Sequence, residues 1–224
     1  MLVAAVALGL GVWADAASIV TIDGLNDSFS VHYEGFSNQD PDNGYPVSAD
    51  ATFVTTLYTA TQIQFQVTMT NTSSTDPAQL TAFGFNTNPD AIGGTSTSLL
   101  FPFVSLSPNG SFTFDVCVQG PPDDADNCAG NSGSSDTSLG RNDSDVFFLT
   151  LTFLSTDGGV ALSDFGARFQ GIGPRGASAK VYGDPTDCTD CGVIITSEVP
   201  EPGTLLLLGS GAIVAFRRRF RRQQ

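Results

Sequence analysis

Gln62-Ile63-Gln64-Phe65-Gln66-Val67-Thr68-Met69-Thr70-Asn71 alternates without a break, with Ile63, Phe65, Val67 and Met69 on one side and Gln64, Gln66, Thr68 and Thr70 on the other. A period of two over ten residues is the pattern of a strand with one face buried and one in water. Thr52–Tyr58 precedes it across a short connection, which predicts a hairpin. Ser111–Val118 alternates through Phe112, Phe114, Val116 and Val118, and Asp145–Ser155 through Phe147, Leu149, Leu151 and Phe153. Shorter patterns of the same kind cover Ser18–Ile22, Phe29–Tyr33, Leu80–Asn86, Ala161–Gln170 and Ala179–Tyr182. Outside the two ends no segment has a helical period.

Composition agrees. Gly, Thr, Ser, Asn and Asp are plentiful, Glu and Lys are scarce, and seventeen Phe stand against one Trp and two Met. Strand and turn formers dominate over helix formers, and the core is expected to be built on Phe. Eight or nine short antiparallel strands, each with one apolar face, pack as two sheets. The expectation is therefore an all-β, Greek-key-like β-sandwich, with a barrel as the alternative. Polar connections are expected at Ser37–Val47, Thr87–Thr97, Gly120–Arg141 and Asp184–Cys191. The 224 residues divide into a signal peptide (1–16), one β-rich body (17–197) and a sorting or anchor segment (198–224).

The net charge of −14 is unevenly spread. Of nine basic residues, Arg217, Arg218, Arg219, Arg221 and Arg222 fall in the last eight positions. The body keeps only Arg141, Arg168, Arg175 and Lys180 against a large excess of carboxylates. Phosphate binding needs Lys and Arg to release counterions, so this body excludes nucleic acid as a partner.

At the N-terminus, residues 2–13 form an apolar run too short to span a bilayer, followed by Ala14-Asp15-Ala16, a small-x-small cleavage pattern. No Lys or Arg precedes the run. The reading is a signal peptide for the Sec export machinery, with mature protein from about Ala17. A buried N-terminal helix is the competing one.

At the C-terminus, Val199-Pro200-Glu201-Pro202-Gly203 leads into the apolar segment Thr204–Phe216 and then the Arg cluster. Pro200 and Pro202 stop any helix from running back into the body. Thirteen residues make about 20 Å of helix, short of a hydrocarbon core of about 30 Å. The arginines favour the cytoplasmic side of the inner membrane, which orients the body outward. A Pro-Glu-Pro motif, a hydrophobic helix and a basic cluster, in that order, resemble the PEP-CTERM sorting signal of Gram-negative bacteria. The resemblance implies recognition and cutting near Pro200, Glu201 and Pro202 by an exosortase, and an association with extracellular polysaccharide and biofilm.

The body is similar to the cistern family of PEP-CTERM proteins. Two stretches carry the similarity: Thr70-Asn71-Thr72-Ser73 followed by Leu80-Thr81-Ala82-Phe83-Gly84-Phe85-Asn86-Thr87, and Asp115-Val116-Cys117 with Asn127-Cys128-Ala129-Gly130. It implies no known biochemical activity.

Four cysteines in an exported chain predict two disulfides, of three pairings in principle. The local pairing joins Cys117 to Cys128 and Cys188 to Cys191. Cys188-Thr-Asp-Cys191 admits two other readings, a redox pair or half of a zinc site with Cys117 and Cys128. A redox pair needs a helix N-terminus that Pro185–Asp190 does not offer. His32, the only histidine, lies on an alternating segment and has no Ser-His-Asp partners in evidence.

Asp123, Asp124 and Asp126, with Asn127, concentrate hard oxygen donors, and Asp143 and Asp145 add a second cluster, so calcium is the one cofactor the sequence suggests. The EF-hand's spacing and closing Glu are missing, and a solvated acidic loop explains the same residues. Thr68/Thr70 and Thr150/Thr152 raise ice binding, but β propensity alone accounts for them.

The function expected is that of a non-enzymatic, exosortase-processed protein of the cell surface or extracellular matrix. The alternative is a carbohydrate-binding module for the cell's own exopolysaccharide, which would need two of Tyr33, Tyr45, Tyr58 and Tyr182 on one face. A secreted hydrolase ranks third, requiring carboxylates clustered in a cleft with His32.

Overall fold

The computed structural model describes residues 18–37, 44–106, 112–121, 128 and 137–191. Among these residues there is no helix, and none long and apolar enough to cross a membrane. The expected signal peptide and the expected C-terminal hydrophobic helix lie outside them.

Eleven strands form: β1 (Val20–Ile22), β2 (Ser28–Phe36), β3 (Pro46–Tyr58), β4 (Gln62–Asn71), β5 (Gln79–Asn88), β6 (Gly93–Ser96), β7 (Phe103–Leu106), β8 (Val116–Gln119), β9 (Ser144–Thr152), β10 (Val160–Ile172) and β11 (Ala177–Thr189). All pair antiparallel, in the order β6-β9-β4-β3-β2-β11-β10-β5-β8-β7, with β1 joined to β10. Eleven strands exceed the expected eight or nine. The two separate sheets of a sandwich are replaced by one continuous sheet that nearly closes on itself, closer to the barrel alternative. The corner is β11, whose residues Ala177–Tyr182 pair with β10 while Gly183–Thr189 pair with β2. Gly183 makes the bend possible. A Cβ there would sit 2.6 Å from both Tyr33 and Val31, too close for any other residue. The two ends of the sheet also meet, since a Cβ on Gly94 of β6 would fall 2.5 Å from Val104 of β7.

Closure buries one face of every long strand. On β4 the buried residues are Ile63, Phe65, Val67 and Met69, the side that alternation selects. The interior is aromatic. Phe53 stacks on Phe29 at 4.8 Å and meets Phe65, Phe83 and Phe85 edge-on, so one β3 side chain joins rings from β2, β4 and β5.

Two expectations need correcting. Ser111–Val118 is not one strand, because strand geometry begins only at Val116. Phe112 and Phe114 instead lie on the outer face of β5 and β10 and form a second apolar cluster with Ala82, Cys117 and Cys128. Asp184–Cys191 is not a loop, since Asp184–Thr189 completes β11. Pro185 pairs with Val31 there, tolerated because this half of β11 has β2 on one side only. β6 lies inside the expected Thr87–Thr97 connection, and β7 falls where the sequence reading placed neither a strand nor a connection.

Phe114 needs glycine beneath it. Gly84 and Gly166 face each other across β5 and β10, and a Cβ on either would lie 2.5 Å from the Phe114 ring. Gly166→Ala should therefore lower stability by about 1–3 kcal/mol through overpacking. Urea denaturation measures it, and an unchanged midpoint would show that Phe114 does not rest on this backbone.

Candidate functional surfaces

The residues that mark the body out in sequence turn out to be joints of the sheet. Asn71 ends β4 with its side chain buried. Its amide donates to the carbonyls of Ala78 and Leu139, both at 2.9 Å, and its carbonyl accepts from Ser73 N–H. Ser73 in turn accepts from Ser48 N–H and donates to the Ser48 carbonyl. Asn71 thus ties three chain segments, and an apolar replacement would leave buried carbonyls unpaired at about 1–3 kcal/mol each.

The second pair of stretches lies side by side. Gly84 of β5 pairs with Cys117 of β8, and Phe85 with Val116. The Asn86 carbonyl accepts from Asp115 N–H, the Asp115 carboxylate accepts from Thr87 N–H, and the Asn86 amide donates to Asp164, each at 2.9 Å. Asp164 adopts a left-handed φ of 53° at the irregularity where β10 shifts register against β5. Short polar side chains satisfy backbone groups that such a shift frees.

Both local cysteine pairs are bonded, Cys117–Cys128 and Cys188–Cys191, and no cysteine is free. The zinc reading of these residues loses its thiolate ligands. Cys117 and Cys128 are fully buried beside Phe112 and Phe114, so the bond clips the apolar cover to β8. Closing a loop this short contributes about 2–3 kcal/mol by chain entropy.

Asp123, Asp124 and Asp126 lie outside the described residues, as do Pro200, Glu201, Pro202 and Arg217, Arg218, Arg219, Arg221 and Arg222. Asp143 and Asp145 are placed, and they do not converge on a cation. Asp145 accepts a 2.5 Å hydrogen bond from Ser98, and Asp143 serves through its main-chain carbonyl, which receives Asn71 N–H. Among the described residues no group of three potential ligands is positioned to hold a metal.

The outer face of β2, β3, β4 and β9 is a polar ladder. Ser30 bonds Thr52, Gln64 donates to Thr150, and Thr70 bonds Ser144. The threonines act across strands, as sheet stabilisation requires. His32 sits within this face. Its Nδ1 lies 2.6 Å from Asp50 and its Nε2 3.6 Å from Glu34. Asp184 occupies the opposite register position on β11. The hydrogen bond that Asp50 accepts from the ring raises the imidazole pKa above its ordinary value, against a smaller lowering by burial. Such a site is an ion pair on an open surface, with no nucleophile in contact.

One open cleft is lined by Asp23, Tyr58, Thr59, Ala60, Thr156, Asp157, Gly158 and Gly159. His32 is not among these residues. Tyr58 donates its hydroxyl to the Thr156 carbonyl, and Asp27 binds the main-chain N–H groups of Asp23 and Gly24. These bonds brace turns. The grouping of carboxylates with His32 that a hydrolase would need is not formed here.

The tyrosines divide. Tyr33 is wholly buried, which raises its phenol pKa; Tyr58 is bonded as above; Tyr45 packs against the core and over Gly173. Only Tyr182 stands out, 68% exposed, so no two tyrosines share a platform. Sequence reading missed what surrounds it. Phe112 meets Tyr182 edge-on, Lys180 Nζ lies 5.4 Å over the Phe112 ring, and Arg168 faces Lys180 across the strands. The signal was the spacing Lys180-x-Tyr182-x-Asp184, which puts three side chains on one face of a strand.

Two outcomes follow. Thiol labelling of the unfolded, unreduced protein should modify none of the four cysteines, and labelling of all four would refute the pairing. His32, with its folded pKa raised, contributes stability below its unfolded pKa of about 6.5 and loses that contribution as pH rises through the folded value. The melting-temperature advantage of the wild type over His32→Gln should then be larger at about pH 6 than at about pH 8.5. Exposure keeps the effect small, and an advantage independent of pH would remove the ion pair from the account.

Residues 198–222 match the model of the PEP-CTERM protein-sorting motif. No curated protein matches the chain, and no solved structure does. The match covers the tail and leaves the cistern-like body without further support. It is enough to give the address: the chain carries a PEP-CTERM protein-sorting motif and is an export substrate directed to an exosortase on the way to the cell surface.

Proposed function

We propose that the body is a non-catalytic component of the cell surface or extracellular matrix, released from its sorting tail by exosortase cleavage near Pro200–Gly203. One observation carries this reading. The most distinctive residues of the body, Asn71, Gly84, Asn86, Asp115 and the Cys117–Cys128 bond, are engaged in joining strands. A chain whose marked residues hold a sheet together is built to persist outside the cell. The dense ladder of cross-strand side-chain bonds and two disulfides suit the same purpose. A cistern-like body would fit this role, as a resemblance and no more.

A second reading, binding of the cell's own exopolysaccharide, is favoured by the exposed Tyr182 and its neighbours, though not by a row of tyrosines.

Intact mass of cell-bound and released protein from the native host tests the processing step. A mass ending near Pro200–Gly203 is expected in the released fraction. A mass reaching Gln224 in both fractions would make the chain a membrane-anchored protein and overturn cleavage.

A further inference from the structure

We propose that the uncharged outer face of β3, β4 and β9, centred on Gln66, Thr68 and Phe148, is a binding surface for a neutral, hydroxyl-rich polysaccharide. The inference rests on the polysaccharide-binding reading above and gives it a place apart from Tyr182 and a ligand class.

The distribution of charge comes first. Two successive rows cross these strands in register, Val54–Gln66–Phe148 and Thr52–Thr68–Val146. Neither holds a charged side chain, and Gln66, Thr68, Val146 and Phe148 are all exposed. The flanking pairs Gln64–Thr150 and Thr70–Ser144 are uncharged as well. In a chain of net charge −14, an exposed area of this kind without a carboxylate is a local exception. Carboxylates begin only at its margin, with Asp50 and Glu34 around His32.

The face is also held in place. Gln64 donates to Thr150 at 3.0 Å, Thr70 and Ser144 share a hydrogen bond of 2.8 Å, and the Phe148 N–H donates to Thr97 Oγ1 at 2.9 Å. A hydroxyl or carboxamide in such a pair keeps unused donor or acceptor capacity. Side chains already fixed lose little freedom when a ligand settles on them.

Chemistry and size select the occupant. A basic partner finds no carboxylate on these rows, and a nucleic acid or an acidic glycan finds no cation. A second copy would need about 800 Å² from each partner. The face supplies roughly 400 Å², at about 4.8 Å per strand and about 3.4 Å per residue over β2, β3, β4 and β9. Its one aromatic ring is also unlike the aromatic-rich and arginine-rich centre of a protein interface. A neutral glycan meets none of these objections. Sugar hydroxyls both donate and accept, as the Thr hydroxyls and the Gln carboxamides do, and the C–H face of a sugar ring packs on Phe148, 39% exposed, with Val146 beside it.

The test is affinity electrophoresis of the full-length protein through gels containing hydroxyethylcellulose, polygalacturonate or exopolysaccharide purified from the native host. Retardation by hydroxyethylcellulose and by the host polymer is expected, and none by polygalacturonate. Thr68→Glu and Phe148→Ala should each weaken retardation about tenfold, and Tyr182→Ala should leave it as in the wild type. Unfolding midpoints taken in parallel separate lost binding from lost fold. Retardation by polygalacturonate equal to that by hydroxyethylcellulose would overturn the choice of a neutral ligand. Retardation by the host polymer that survives both Thr68→Glu and Phe148→Ala would overturn this face and leave the polysaccharide-binding reading standing. A dimer in light scattering that Thr68→Glu dissociates would overturn it in favour of a second copy. No retardation in any gel would overturn the face and the polysaccharide-binding reading together, without touching the sorting and surface role, which the mass measurement addresses.

Discussion

The Phe53 side chain is the contact on which the rest of the body depends. Its ring stacks on Phe29 and receives the edges or faces of Phe65, Phe83 and Phe85, so that strands far apart in the sheet order share one aromatic group. A sheet of this length could remain open and twisted. It curls because the rings of its two halves fill the interior only when they interlock, and aromatic rings in edge-to-face arrangement contribute beyond their buried area. Val, Ile, Leu and Met69 complete the same buried cluster. The compositional excess of Phe is thus the requirement of one enclosed space.

That closure leaves a different problem outside. β5 and β10 are buried on both faces, since the interior covers one and Phe112, Phe114 and the Cys117–Cys128 bond cover the other. A strand covered twice cannot present alternating side chains of ordinary size on the outer face, where Phe114 must approach. Glycine at 84 and 166 is the solution, and it puts an aromatic ring where a Cβ would have been. The same cover carries Tyr182 and Lys180 at its rim through Phe112. The exposed Tyr182 ring is therefore an extension of the packing that seals the sheet, and its rigidity comes from that packing.

Which parts were legible in the sequence follows from the same physics. Gln62–Asn71 could be read because it has one buried and one wet face, and a period of two records that difference. Phe112 and Phe114 kept the period but not the strand, because alternation reports which side a residue packs on and not whether its backbone is paired. β6, Gly93–Ser96, has no large apolar residue, β7 is only four residues long, and both sit at the ends of the sheet, where one neighbour suffices and the pattern fades. Asp184–Thr189 is rich in turn formers and yet extended, since pairing with β2 overrides weak local preference. Among site residues, the disulfide partners were legible from spacing. Arg168 and Lys180 were not, for their meeting depends on the register of β10 against β11, which no local pattern encodes.

Charge separation along the chain connects the address to the body. The tail concentrates basic residues, where positive charge favours retention on the cytoplasmic side, and the body is left almost without them. So acidic a body repels copies of itself, which disfavours edge-to-edge association of a sheet protein. It would equally be repelled by an acidic matrix.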